Sequence, residues 1–132
     1  MNHWLLAAGL YNLLWGAATI ALPNATLELL GIVPTPITAA FWQCIGMIVG
    51  VYGLGYLIAS RNPLRHWPIV LVGLLGKIFG PIGFIQALTQ GVLPVQMGWT
   101  ILTNDLLWWI PFALILKRAL QQNRQPLATQ PA

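Results

Sequence analysis

The stretch WPIVLVGLLGKIFGPIGFIQAL, residues 67–88, carries a single charged residue, Lys77, in an otherwise apolar run. Crossing the hydrocarbon core of a bilayer takes about 20 mostly apolar residues in a helix, and this run has that length. Three other runs have the same character: 4–22, 37–59 and 98–116. Breakers separate them. Pro23 ends the first, Pro34-Thr35-Pro36 precedes the second, the polar turn 60–66 follows it, and Gly91 with Pro94 closes the third. Composition agrees, with 58% hydrophobic and 6% charged residues against roughly 25% charged in a soluble domain. Mean hydropathy is +0.74. Eight charged side chains cannot cover a water-soluble fold of 132 residues. The expectation is an all-α integral membrane four-helix bundle, a single domain over 1–120, with a disordered tail at 121–132 whose Gln/Pro-rich composition cannot build a core.

Helices that alternate direction put the start of the first, the 60–66 turn and the tail on one side. That side holds Arg61, Arg65, Lys117, Arg118 and Arg124, five of the six basic residues, while the opposite loops hold Glu28 and no Lys or Arg. The positive-inside rule then predicts both termini in the cytoplasm of an inner-membrane protein. The same placement explains the net charge of +4 as a topology signal, so no nucleic-acid partner is expected. Trp4, Trp67 and Trp99 fall near span ends, as interfacial residues do. Asn24 reads as the N-cap of a short interfacial helix, Ala25–Leu30, stopped by Gly31. Gly46-x-x-x-Gly50 and Gly76-x-x-x-Gly80 read as helix-packing rows, because small residues let backbones approach where lipid supplies no hydrophobic drive.

Lys77 is the most informative position. A charge near mid-bilayer costs at least ~2.5 kcal/mol on insertion scales, so a partner or polar cavity is expected. Asp105 is the one acid inside a span and the natural counter-charge. Asn104 beside it, Asn12 in the first helix, Gln43 in the second and Gln86 in the third would complete a polar site if all turn inward. Trp108 and Trp109 lie four residues after Asn104 and Asp105, and so line the same helix face. The bland alternative is a structural ion pair with separate interhelical hydrogen bonds. Pro81 and Pro111 should kink their helices and free backbone carbonyls. His3 and His66 sit at span ends, so haem is not expected; no metal-ligand spacing, Ser-His-Asp set or phosphate loop occurs.

Four stretches carry a resemblance: Val51-Tyr52-Gly53-Leu54-Gly55-Tyr56; Asn62-Pro63-Leu64-Arg65-His66-Trp67-Pro68; residues 76–84; and Asn104-Asp105-Leu106-Leu107-Trp108-Trp109-Ile110-Pro111-Phe112. With them the chain resembles, over nearly its whole length, a group of small uncharacterised four-helix bacterial integral membrane proteins, some labelled alkyl hydroperoxide reductase. In size and helix count it is more distantly similar to the DoxX-like families, some of which associate with quinone-linked redox complexes. The label implies a peroxidatic cysteine, and the residues do not supply one. Pro36 precedes Cys44 by eight positions rather than seven, and position 41, where a hydroxyl would stand, is Phe. Cys44 reads as a small packing residue in an apolar helix.

The favoured reading is a non-catalytic membrane module that binds a lipid- or quinone-like molecule, or serves as a subunit of a membrane complex or a homo-oligomer. The alternative is a membrane enzyme or proton-coupled carrier using Lys77 and Asp105. No cofactor is predicted beyond a quinone as one member of the ligand class.

Overall fold

A computed structural model of the protein describes residues 1–123; the expected tail falls largely at 124–132, outside the described residues. The described chain is helical, in the order α1 (His3–Ala21), α2 (Pro23–Leu29), α3 (Pro36–Arg61), α4 (Trp67–Thr89), a 3-10 turn (Val95–Met97), α5 (Gly98–Ile101), a π-helical segment (Leu102–Leu106) and α6 (Leu107–Asn123). Four helices are long and apolar enough to cross a membrane: α1, α3, α4 and the continuous run Val95–Asn123. The last begins three residues before the expected 98 and continues past 116.

Local chemistry sets the boundaries. Asn2 caps α1 by accepting from the Leu5 N–H at 3.1 Å, which satisfies one of the four N–H groups a helix start leaves unpaired. The backbone N–H of Asn2 also donates to the Ser60 carbonyl at 2.7 Å, tying the start of the chain to the end of α3. Pro23, which has no N–H to lose, opens α2, so this helix starts ahead of the expected Asn24 cap. At its other end Gly31 takes φ +77°. Its N–H reaches the Glu28 carbonyl and that of Ile32 reaches Leu27, each at 3.0 Å. That is the left-handed closure glycine permits without steric cost. Thr35 and Thr38 form a reciprocal capping box at the start of α3.

The seam between α1 and α3 is glycine against backbone. A Cβ on Gly16 would stand 2.6 Å from the Gly46 carbonyl oxygen, and one on Gly53 would stand 2.9 Å from that of Gly9. Gly9 and Gly16 are seven apart, as are Gly46 and Gly53, and the antiparallel register pairs 9 with 53 and 16 with 46. The expected four-residue rows hold only in part. A Cβ on Gly50 or Gly76 would meet nothing within 4 Å, and one on Gly80 would meet the Asp105 carboxylate rather than a neighbouring backbone. The Gly46/Gly50 row does face α1, since a Cβ on Gly16 would also come 3.2 Å from the Gly50 backbone; the Gly76/Gly80 row does not pack on a helix, because small residues i and i+4 share a face without stating what that face meets.

Two apolar clusters sit at opposite ends. Leu5, Ala8, Tyr56, Ala59, Val70, Trp108, Phe112 and Ile115 fill the end nearer the 62–66 turn. Leu27, Leu30 and Trp42 close the other, where α2 folds back and the Trp42 indole donates to Thr26 Oγ1 at 2.9 Å. Much of the outward surface is apolar, with Phe41 68%, Val51 66%, Phe79 64% and Ile110 72% exposed. Cys44 lies on this outward surface rather than in the packing between helices.

Candidate functional site

Between the two clusters lies a cavity of about 210 Å³, lined on its polar side by Asn12, Lys77, Asn104 and Asp105 and walled by Tyr52 and Tyr56. Its depth follows from residue position. Asn12 is the tenth of the 19 residues of α1, and Lys77 is the eleventh of the 23 of α4. Ile48, also in the lining, is the thirteenth of the 26 of α3. Three helices thus contribute their midpoints.

Irregular backbone on two helices makes the polar groups available. Pro81 has no N–H, so the ladder bond to the carbonyl four residues earlier, that of Lys77, cannot form. The Trp109 indole N–H donates to that carbonyl at 2.9 Å. On the facing helix the Leu107 N–H reaches back five residues to Leu102 instead of four. Such widened turns are rare and tend to occur at functional positions. Here the turn opens two carbonyls to side-chain donors: Thr103 accepts from the Trp108 indole at 2.9 Å, and Asn104 accepts from the Lys77 ammonium. The two helices therefore exchange side-chain-to-backbone hydrogen bonds, each compensating a break in the other's ladder. Sidechain contact with α1 comes from Tyr11, whose hydroxyl donates to Thr103 Oγ1 at 2.7 Å.

Lys77 and Asp105 are buried, 3% and 6% exposed, and face the same cavity. Among the described residues the side-chain hydrogen bonds of both go to Asn104. The ammonium donates to its carbonyl, and the carboxylate accepts from its Nδ2 at 3.3 Å. Asn104 thus stands between charges that the sequence suggests would meet directly, because the π segment turns its carbonyl toward α4. The rings of Tyr56 and Phe112 lie 5.6 and 5.8 Å from the Lys77 nitrogen, within the range of cation–π attraction. Gly80 has its role here: a Cβ would come 3.0 Å from Asp105 Oδ2, so the absence of a side chain makes room for the carboxylate.

Asn12 is 2% exposed, and its side-chain oxygen, like that of Asn104, is fully buried without a hydrogen-bond partner. An unmet buried acceptor costs roughly 1–3 kcal/mol, so this oxygen marks a position suited to a donor. The mouth of the cavity lies between α3 and α4. Ile48 at its rim is 58% exposed, and a Cβ on Gly76 would project into open space.

Of the residues singled out from sequence, Asn12, Lys77, Asn104 and Asp105 converge. Gln43 does not; its Nε2 donates to the Ile20 carbonyl at 2.9 Å, satisfying an acceptor that the end of α1 leaves free. Gln86 is exposed on the outward surface. Trp108 belongs to the apolar cluster, and Trp109 supports the Lys77 backbone, so neither lines the cavity. Tyr52, Tyr56 and Gly73 were missed. The i, i+4 spacing of the two tyrosines signals a shared face, and Gly73 makes room for the Tyr56 ring, since a Cβ there would come within 2.6 Å of it.

Compared with protein-family models, with curated proteins and with solved structures, the chain has no match.

Proposed function

We propose that the protein is a multi-pass inner-membrane protein with cytoplasmic termini, and that its mid-depth cavity binds a small amphipathic molecule drawn sideways from the bilayer, without transforming it. The outward apolar surface and the basic residues Arg61, Arg65, Lys117 and Arg118 at one end of the bundle support the membrane placement. The observation that carries the binding reading is the unpartnered side-chain oxygens of Asn12 and Asn104, two residues lining a polar cavity whose mouth opens on that apolar surface. A site entered through lipid needs no water-filled path. A few convergent polar groups among apolar and aromatic walls are the usual composition of a ligand pocket.

The direct test is purification of the protein in lipid nanodiscs followed by mass spectrometry of co-purifying lipids, quinones and proteins. One small molecule should be enriched to about one per chain over the surrounding lipid, and should be lost in an Asn12→Val variant of equal yield. A stoichiometric partner protein with no small molecule would instead assign the chain as a subunit of a complex. Turnover or proton-coupled flux by the purified protein would establish the alternative of an enzyme or carrier built on Lys77 and Asp105. Orientation has its own test. An exported-phosphatase reporter should be inactive after Ala132 and active after Val95; activity at Ala132 would invert the topology.

A further inference from the structure

Tyr52 walls more than the polar cavity. That ring also borders a second, apolar hollow of about 350 Å³ between Val51, Tyr52 and Gly55 of α3 and Pro68, Ile69 and Val72 of α4. On α4 the hollow's residues precede those of the polar cavity by about five positions, roughly 7 Å at 1.5 Å per residue, toward the 62–66 turn. The two hollows share Tyr52 as a wall and lie in line along the α3–α4 face, a slot polar at mid-depth and apolar toward the turn.

Several features limit what fits the slot. Its polar end already holds one cation and one anion, Lys77 and Asp105, so a further net charge at mid-depth would be uncompensated. Asn12 offers a buried oxygen without a partner, so a head with acceptors alone would leave it unmet. A cavity of 150 Å³ admits benzene, so one of about 210 Å³ takes a single ring or a small hydroxyl head. The apolar part is one groove, which suits one chain, and a diacyl phospholipid would have to carry its charged head to mid-bilayer. We propose that the slot takes an uncharged, hydroxyl-headed, single-chain lipid, an alkanol or alkylphenol in chemistry. Its O–H donates to Asn12, and its chain lies along Val51, Gly55, Ile69 and Val72 toward the 62–66 turn. This rests on the cavity being a ligand site, and adds the ligand's class and pose.

The test uses the full chain in phosphatidylcholine nanodiscs with hexadecanol carrying a mid-chain diazirine. Photolysis and peptide mapping should give saturable labelling at 51–55 and 68–72. Unlabelled hexadecanol and 4-dodecylphenol should displace it, and hexadecyl methyl ether should need at least about tenfold more, the cost of one hydrogen bond to a buried acceptor. Val72→Trp, at a position 50% exposed and so tolerant of size, should block the groove and abolish the labelling even if Asn12 variants fold poorly. Equal displacement by ether and alcohol, with labels still in the groove, would overturn the hydroxyl class and leave the ligand site standing. Label scattered without saturation over outward residues such as Phe41 and Ile110 would overturn both.

Discussion

The α1–α3 seam and the seam between α4 and the fourth span hold the molecule together by opposite means. In the first, four glycines on regular helices bring backbone against backbone, with no room for a methyl group at Gly9, Gly16 or Gly53 and a tight fit for one at Gly46. In the second, both helices are interrupted, by Pro81 and by the π segment, and indole and ammonium donors from each satisfy carbonyls on the other. A seam of glycines has one good arrangement, and its one spare polar group is the side chain of Asn12, packed against Gly53. A seam of broken ladders keeps polar groups at mid-depth, and the cavity sits beside it.

The difference can be broken most severely from the glycine side. Gly16→Leu would drive a side chain into the Gly46 carbonyl, and the folded yield by fluorescence-detected size exclusion should collapse. Gly83→Leu, at a position with nothing within 4 Å of its Cβ, should fold like the parent. Equal yields would mean that α1 and α3 are not in this contact.

On the polar side the charges come next in size. Removing one member of a buried pair strands the other, which typically costs ~3–5 kcal/mol, whereas removing both is often close to neutral. Lys77→Met and Asp105→Asn should each lower folded yield, and the double variant should recover much of it. Full recovery of folding with loss of the co-purifying molecule would sharpen the comparison, separating what the charges do for the site from what they do for the fold. Single variants that fold as well as the parent would show that the two charges are uncoupled across Asn104.

A smaller effect probes the compensated ladder itself. Trp109→Phe removes the donor to the Lys77 carbonyl and should cost about 1 kcal/mol, the ordinary net worth of a hydrogen bond. With Pro81→Ala in place, the restored backbone N–H can take that carbonyl, and the same substitution should cost close to nothing. Additive costs would mean that the indole does not compensate the proline. The smallest effect belongs to Cys44, on the outward surface: Cys44→Ser should leave thermal stability within ~0.5 kcal/mol, as exposed substitutions generally do.

The four long apolar helices were legible because an apolar run of fixed length between proline and glycine breakers has few other readings. The burial of Lys77 among polar groups was legible because a lone cation mid-run demands compensation wherever it faces. The identity of that compensation was not. Whether a turn closes four or five residues back leaves no mark in composition, and that choice turns the Asn104 carbonyl to the ammonium. Gln43 and Gln86 looked equivalent to Asn12 in a linear reading. One sits where α1 ends and caps it, the other faces outward, and only Asn12 lies where three helix midpoints meet. The glycines misled for a related reason: the four-residue spacing within α3 and α4 drew notice, while the matching seven-residue spacings of Gly9/Gly16 and Gly46/Gly53 were the ones with partners.

The account turns on the Asn12 side-chain oxygen being held for a ligand's donor. Isotope-edited infrared spectroscopy of protein with carbon-13 in the asparagine side-chain carbonyls reads this directly, with Asn12→Val subtracted to isolate the one band. Before addition the band should lie at the high frequency of a carbonyl without a hydrogen bond, and adding hexadecanol should move it down while hexadecyl methyl ether leaves it in place. A band already at the hydrogen-bonded position, unmoved by the alcohol, would contradict the account.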